Sequence, residues 1–515
     1  MNTRVKRLVL PLGGAVAAAA MIGAGLAAPA TANSPVVTDA LAATPTSAKT
    51  VADFWLDTKG ADLKRATQYP FDYKAVKRHT VGSSGAPSSD GKPGLIGQST
   101  TPSSKVKNVN LPKTIGKVFF EKGGKTYWCS GSSIQSNYGN LVATAGHCVY
   151  DVQGNNDVMD KWVFVPAYYQ GKAPYGVYVG KQAFTHYDFD VYEDFDKNYA
   201  FVTVYNGFSV GDKKAVDKKT YDAFNGHQST KWTDDVPITE AEYNKIVAER
   251  GGETSDAWSR SESSTEVGSV DQKDYSYTKV EVTKAQFDAA TVAAPGNGSK
   301  YTPKAGEHAN PWVREVSKSD YDNYKGKGDR KITANGSFQL TDYYLGYWVK
   351  DAAVKHYKTV YYIMGSVDRG TLKSNVGAQG FAWNQKHGIP VFVFGYPGGE
   401  HPDGDRPFSG VTVKQAYGKT VKATALSLKA EELVGIRSGA MTAGADGGPW
   451  IYRYSSASRI GYINGVTGVI GDTDKNDRFD TVASAYFDGE TKGVYDKAKA
   501  LWSGKIVDGN GNITK

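Results

Sequence analysis

The chain has 515 residues, two cysteines and a formal charge of +8, with 40% of its residues hydrophobic and 22% charged. That length exceeds one ordinary domain and calls for two or three folding units. The positive charge is mild for the size and interleaved with acids, and no Lys/Arg block of the kind that tracks phosphates occurs, which argues against a nucleic-acid partner.

Arg4, Lys6 and Arg7 precede an apolar, alanine-rich run from Leu8 to about Ala28, and Ala30-Thr31-Ala32 supplies a small-residue cleavage pattern. Residues 1–32 therefore read as a secretory signal peptide. A membrane anchor is the rival reading, disfavoured by the polar sequence that follows, and no later stretch reaches the roughly 20 apolar residues needed to span a bilayer. The expected product is secreted and extracellular, with no membrane association after cleavage. Export makes a disulfide between Cys129 and Cys148 the default, against two buried free thiols.

Residues 33–110 are rich in Ala, Thr, Ser, Gly and Pro, as in TPTSAKT and VGSSGAPSSDGKPG. Such composition reads as a pro-segment or linker, with one amphipathic patch, Val51 to Tyr73, as its ordered part. From 111 to 211 the texture changes to short β-branched and aromatic runs separated by glycine turns: KVFFEKGGKTYWCSGSSI, LVATAGHCVY, WVFVPAYY, YGVYVGKQAF and YAFVTVY. The style returns in 372–515, in IPVFVFGYP, KTVKATALSL, GPWIYRY and RIGYINGVTGVIG. Both blocks predict antiparallel β structure of the barrel or sandwich kind. The closing GETKGVYDKAKALW has helical spacing and predicts a C-terminal helix on the second block.

The block between them, 212–371, carries a weak repeat. VPITEAEYN, VEVTKAQFD and REVSKSDYD each set an apolar residue, a Thr or Ser, an acid or amide three positions on, and an aromatic. These are helix starts, with Thr239, Thr283 and Ser317 as N-caps and Ile238/Tyr243, Val282/Phe287 and Val316/Tyr321 as stapled pairs. The block reads as an α+β insertion whose many Tyr and Trp residues suit a ligand face or ordinary half-buried packing.

ATAGHCVY, with His147 directly before Cys148 and Cys129 opening CSGSS, and GADGGPW, Gly444 to Trp450, occur in that order. Together they resemble the trypsin-like serine endopeptidase family, in particular its secreted bacterial branch related to glutamyl endopeptidases. The resemblance covers both β-rich blocks and skips the insertion. It implies a mainly β fold, a double antiparallel β-barrel of trypsin-like type, with the α+β insertion between the barrels and a C-terminal helix. It also implies His147 as general base and the backbone N–H groups of Gly444 and Asp446 as oxyanion donors. Gly465, Val466, Thr467 and Gly468 would line the edge on which a substrate strand pairs.

Two positions depart from the family pattern. Asn198, in NYAFVTV, stands where the carboxylate that orients the histidine is expected, and Asp446 stands where the nucleophilic serine is expected. Asp196 would substitute for Asn198 only if the loop slipped. An amide behind the ring costs about 10⁴ in turnover in one serine protease, and loss of the serine about 10⁶ in another. The family's second disulfide is also missing. The sequence therefore predicts a pseudo-peptidase that binds a protein, a peptide or a cell-surface polymer. The alternatives are an active endopeptidase using a rearranged His147/Asp446 site, and a structural envelope protein in which the barrels are scaffold. No cofactor or metal is expected: DTDKND, Asp472 to Asp477, has the oxygen alternation of a calcium loop but lacks its glycine and, at Ala483, its glutamate, so it reads as an exposed turn.

Overall fold

The computed structural model describes residues 35–70, 79–82, 92–97, 110–154, 158–224, 230–250, 256–262, 266–269, 272–291, 295–350 and 353–514. The segment read as a signal peptide lies outside them, as do 71–78, 83–91 and 98–109 of the expected linker. Among the described residues no helix is long and apolar enough to cross a membrane. The chain forms two compact units: one comprises the chain up to Ala52, Leu63–Gly207 and Arg369–Ile506, the other Asp53–Asp62, Phe208–Asp368 and the chain from Val507 onward.

In the first unit, six antiparallel strands close on themselves: Ile115–Lys122, Lys125–Ile134, Leu141–Thr144, Ala200–Val204, Tyr178–His186 and Asp160–Pro166, the last pairing back onto the first. Gly123 and Gly124, with φ of 57° and 74°, make the two-residue hairpin that sets the first pairing, a conformation in which both central residues need φ above zero. Val118, Phe120, Val142, Phe164, Phe184 and Val202 fill the interior.

A second six-strand barrel follows from Pro390–Gly395, Lys414–Lys419, Ala430–Arg437, Pro449–Ser455, Ile460–Val466 and Thr481–Ala485. Two of its strands cross between sheets: Lys414–Lys419 continues past Thr420 as Val421–Ala425, and Ile460–Val466 continues past Thr467 and Gly468 as Val469–Gly471. Its core includes Val391, Val393, Ile436, Trp450, Ile470 and Val482. The first unit is therefore the mainly β, trypsin-like double barrel that the motifs imply.

Composition understated the order in 33–110. Val36–Ala40 pairs antiparallel with the outer edge of Tyr178–His186, from Val36 opposite His186 to Ala40 opposite Gln182. Pro45–Arg65 is a helix of 21 residues, and Ala42, Ala48, Ala52 and Leu63 are buried. Trp55 of the same helix is 0% exposed, so its burial combines one large indole with alanines that lose no side-chain entropy on ordering.

The C-terminal helix, Gly489–Lys499, starts on a capping box between Asp488 and Thr491 and buries Thr491, Val494, Tyr495 and Ala498. It lies against Tyr178–His186 and Ala200–Val204 of the first barrel, with the Tyr495 ring 5.6 Å from Phe201 and 4.3 Å from Phe381. The sequence placed this helix on the second block, which it touches at Phe381; the contact with the first barrel is added by the fold, because periodicity does not name every surface that covers a helix.

The second unit is organised by two long strands, Phe338–Lys350 and Ala353–Ile363. Each takes two strand–helix pieces. Lys214–Val216 with Lys218–Ala223 and Lys231–Ile238 with Glu240–Glu249 join Ala353–Ile363. Tyr275–Val282 with Lys284–Ala289 and Trp312–Val316 with Lys318–Asn323 join Phe338–Lys350. Thr239, Thr283 and Ser317 cap their helices as the repeat predicts. A fourth copy has Asp217 as its cap, and its acid-for-hydroxyl exchange hides it from the pattern. Each helix sends one ring onto a long strand: Tyr221 onto Tyr361, Tyr243 onto His356, Phe287 onto Tyr343 and Tyr321 onto Phe338, at 4.6 to 5.3 Å between centroids. These four aromatic residues therefore serve internal packing.

Candidate functional site

His147 sits in a single 3₁₀ turn, Gly146–Cys148, directly after Leu141–Thr144. Cys148 is bonded to Cys129, which ties that turn to the Lys125–Ile134 strand. A Cβ on Gly146 would stand 2.4 Å from the Phe189 ring, so the residue before the histidine has to be glycine.

Asn198 follows the short turn Phe195–Lys197. Its Oδ1 accepts the backbone N–H of His147 at 3.1 Å and its Nδ2 donates to the Gly468 carbonyl at 3.1 Å, which fixes which way the amide faces. The His147 Nδ1 lies 3.0 Å from Asn198 Nδ2 and 3.1 Å from Oδ1. A carboxylate could only accept there. The amide can donate to a bare Nδ1, leaving the proton on Nε2, or accept from a protonated one. Asp196 does not reach the ring: its two oxygens accept the Glu431 and Glu432 amides at 2.9 and 2.7 Å. Burial is the largest influence on that carboxyl and lifts it to about 6.

Asp446 stands at the opposite end of the imidazole, with Oδ1 3.6 Å from His147 Nε2, and both residues are 0% exposed. The turn that presents it requires its glycines. Gly444 and Gly447 have φ of +94° and +77°, and a Cβ on Gly447 would lie 2.1 Å from Thr144 Oγ1 and 2.3 Å from the Ser130 carbonyl. Ser130 anchors the turn from below: its N–H donates to the Asp446 carbonyl at 2.7 Å and its hydroxyl to the Gly444 carbonyl at 2.8 Å. The amides of Ala445, Gly447 and Gly448 donate to Thr442, Thr467 and Ala445 carbonyls. Gly444 and Asp446, the expected oxyanion donors, are the amides that alternate with these.

The expected substrate edge is engaged internally. Val466 N–H donates to Ser484 Oγ, Thr467 N–H to the Gly448 carbonyl and Gly468 N–H to the Ala483 carbonyl, and a Cβ on Gly465 would lie 2.6 Å from Ser484 Oγ. The edge strand of that sheet is instead Val469–Gly471, which pairs on one side with Thr481–Ala485. The motif GVTG marked the neighbourhood, but pairing is a property of register, which four residues of sequence do not carry.

Composition did not point to the rings beside His147. Tyr69 stacks near the imidazole, centroids 6.3 Å apart and 24° from parallel, and so does Phe195, at 6.1 Å and 15°. Tyr69 also meets Phe120 and Tyr127 edge-on at 5.2 and 5.5 Å, and its hydroxyl accepts from Lys122 Nζ at 3.1 Å. Burial pushes the phenol up from its ordinary value, and the Lys122 ammonium acts against that. The one signal for Tyr69 was the aromatic content of TQYPF at the end of the amphipathic patch.

Behind Tyr127, Trp128 donates its indole N–H to the Tyr396 carbonyl at 3.1 Å. Lys117 Nζ lies 3.5 Å from the Trp128 ring centre and 4.4 Å from that of Tyr168. Among the described residues no carboxylate pairs with this lysine, and burial holds its amine well below the ordinary lysine range. At the far turn, Asp472, Asp474 and Asp480 stand close together, but Asp472 accepts the Lys475 and Asp477 amides and Asp480 the Thr473 amide, as in a closed polar turn.

No family model matches the chain, and no curated protein sequence matches it. Among solved structures, the chain is similar to the protease Anisep from Arthrobacter nicotinovorans, at 18% identity over 76% of this chain and 98% of that one, with a TM-score of 0.38. It is also similar to a thermostable serine protease, AL20, from an extremophilic microorganism, at 16% identity over 75% and 97% with a TM-score of 0.38. A Glu endopeptidase matches at 11% identity over 77% and 96%, with a TM-score of 0.34.

Proposed function

We propose that this protein is an extracellular pseudo-peptidase: a trypsin-like double barrel that holds a protein, peptide or surface-polymer ligand and does not cleave it. The observation that carries the reading is the pairing at the imidazole. A carboxylate, Asp446, faces Nε2 at 3.6 Å and an amide, Asn198, faces Nδ1 at 3.0 Å, where the acyl-transfer mechanism needs an alcohol and a carboxylate.

Asp446 is a poor nucleophile toward an amide, because a mixed anhydride formed from it expels the carboxylate again. Its carboxyl also stands beside Nε2, in the place from which an alcohol would attack. The opposite reading, Asp446 and His147 activating a water for hydrolysis, needs solvent at two side chains that are 0% exposed. The carboxyl pair that activates water in aspartic proteases has no second acid here, since Asn198 holds that end of the ring.

The test is proteolysis of denatured casein by wild type, Tyr69→Ala and His147→Ala, the second included so that a covered site is not mistaken for a disabled one. No cleavage above the His147→Ala background is expected from either. Cleavage by wild type or Tyr69→Ala that vanishes with His147→Ala overturns the proposal.

A further inference from the structure

The ground beside His147 is filled by the molecule's own chain. Thr67–Gln68 pairs in parallel with Tyr127 and Trp128, and the Tyr69 amide donates to the Trp128 carbonyl at 3.0 Å. The strand Lys125–Ile134 meets Leu141–Thr144 only from Ser132 to Ile134, so at Tyr127 and Trp128 its second edge is taken up by Thr67–Gln68. The same segment passes over the turn that carries Asp446: a Cβ on Gly444 would lie 3.2 Å from Gln68 Cβ. Tyr69 is 6% exposed.

We infer that Thr67–Tyr69 is a built-in occupant of the peptide site. The ligand that replaces it is an extended peptide carrying an aromatic side chain into the slot formed by Phe120, Tyr127 and His147. The inference rests on the binding reading above and narrows its ligand from protein, peptide or polymer to a peptide strand. A sheet edge recognises main-chain N–H and C=O groups at peptide spacing, which a sugar polymer does not offer. The slot adds selectivity: three rings receive a fourth edge-on or stacked, and Lys122 Nζ, held by Asp151 at 2.6 Å, donates to a phenolic oxygen at its end.

The contact is also suited to exchange. Two residues of pairing are few beside an ordinary strand of five or six, so an incoming peptide that pairs over more residues competes successfully. Because the occupant is tethered, it acts at an effective concentration on the order of millimolar, which sets the threshold a free ligand must exceed.

The test uses the full chain and a fluorescent peptide with the sequence of Ala66–Pro70, ATQYP, with ATQAP as control, read by anisotropy. Tyr69→Ala is expected to bind ATQYP at least about tenfold more tightly than wild type, as removal of a tethered competitor requires, and to bind ATQAP no better than wild type does. Tyr69→Phe keeps the ring and is expected to behave nearly as wild type. Tyr69→Leu keeps apolar volume, repeats the alanine result with a smaller step, and serves if the alanine variant fails to fold. In parallel, diethyl pyrocarbonate modification of His147, located by mass spectrometry, is expected to be slow in wild type, faster in Tyr69→Ala, and slowed again by ATQYP alone. Equal affinity of wild type and Tyr69→Ala for ATQYP, or equal gain for both peptides, overturns the inference. Cleavage of the added peptide is a separate result: it overturns the pseudo-peptidase reading and leaves the site assignment standing.

Discussion

Asn198 holds His147 by both its main chain and its ring: one amide oxygen accepts the His147 N–H at 3.1 Å while the amide nitrogen lies 3.0 Å from Nδ1 and donates to Gly468 at 3.1 Å. An amide suits this position because it satisfies neighbours of both polarities, an N–H and a carbonyl, in a buried site.

That relationship makes Asn198 a structural residue. Asn198→Ala leaves the Gly468 carbonyl and the His147 amide without their buried partner, and a loss of about 2–6 kcal/mol of stability is expected at the rate of one to three for each orphaned group. Urea denaturation of variant and wild type measures it. A change within 0.5 kcal/mol, the usual range for a surface substitution, would show that water replaces the amide.

If the frame survives and only the chemistry is lost, Asp446→Ser with Asn198→Asp in the Tyr69→Ala background gains casein cleavage that neither single exchange supplies. The size of the two missing contributions, about 10⁶ for the alcohol and 10⁴ for the carboxylate, explains why both have to return together. Hydrolysis is read as release of acid-soluble peptide, and full activity from Asp446→Ser alone would show that Asn198 orients the ring as well as an acid does.

Lys117 is a buried amine among aromatic rings, its pKa lowered by burial. A base that is harder to protonate in the folded state than in the unfolded one loses stability as pH falls below the unfolded value, so it is a cost at neutral pH. Cation–π contact with Trp128 offsets part of that cost. Lys117→Met, which keeps the length of the side chain, is expected to raise the melting temperature at pH 7, with the gain shrinking toward pH 10. A lower melting temperature at pH 7 would mean that the rings stabilise the ammonium by more than its desolvation costs.

Asp190 is lifted to about 6, first by burial and then by Asp39 on the N-terminal strand. Its folded pKa lies above the unfolded value of 3.8, so the folded state holds the proton more tightly. The associated stability is complete below pH 4 and is lost as pH rises through 6. Asp190→Asn removes that dependence. The fall in melting temperature between pH 4.5 and pH 7 is expected to be smaller in the variant, and an unchanged fall would place the titrating group elsewhere.

In the second unit, Thr239→Ala and Thr283→Ala each remove one half of a capping box. A loss of about 1 kcal/mol apiece is expected, and near additivity in the double variant, because the two caps lie on strands paired to different long partners. Chemical denaturation followed by circular dichroism checks both.

Local chemistry was legible in the chain. The order of TAGHC and GADGGPW announced a double barrel. Asn198 and Asp446 were legible as departures from the resembled motifs. Three N-cap motifs announced three helices, because a cap is settled within four residues. What the sequence left open was everything that depends on a distant partner. The helix Pro45–Arg65 was legible only in part, as the amphipathic patch from Val51, because composition does not say which surface covers Ala48 and Trp55. The C-terminal helix faces strands that periodicity cannot name, and the edge at 465–468 was engaged by a register that only pairing fixes. Tyr69 is the sharpest case. It reaches His147 across 78 positions of chain, and no local pattern predicts that contact, because the free energy that holds the ring there comes from Phe120, Tyr127 and Lys122, which fall into place only once the barrel has closed.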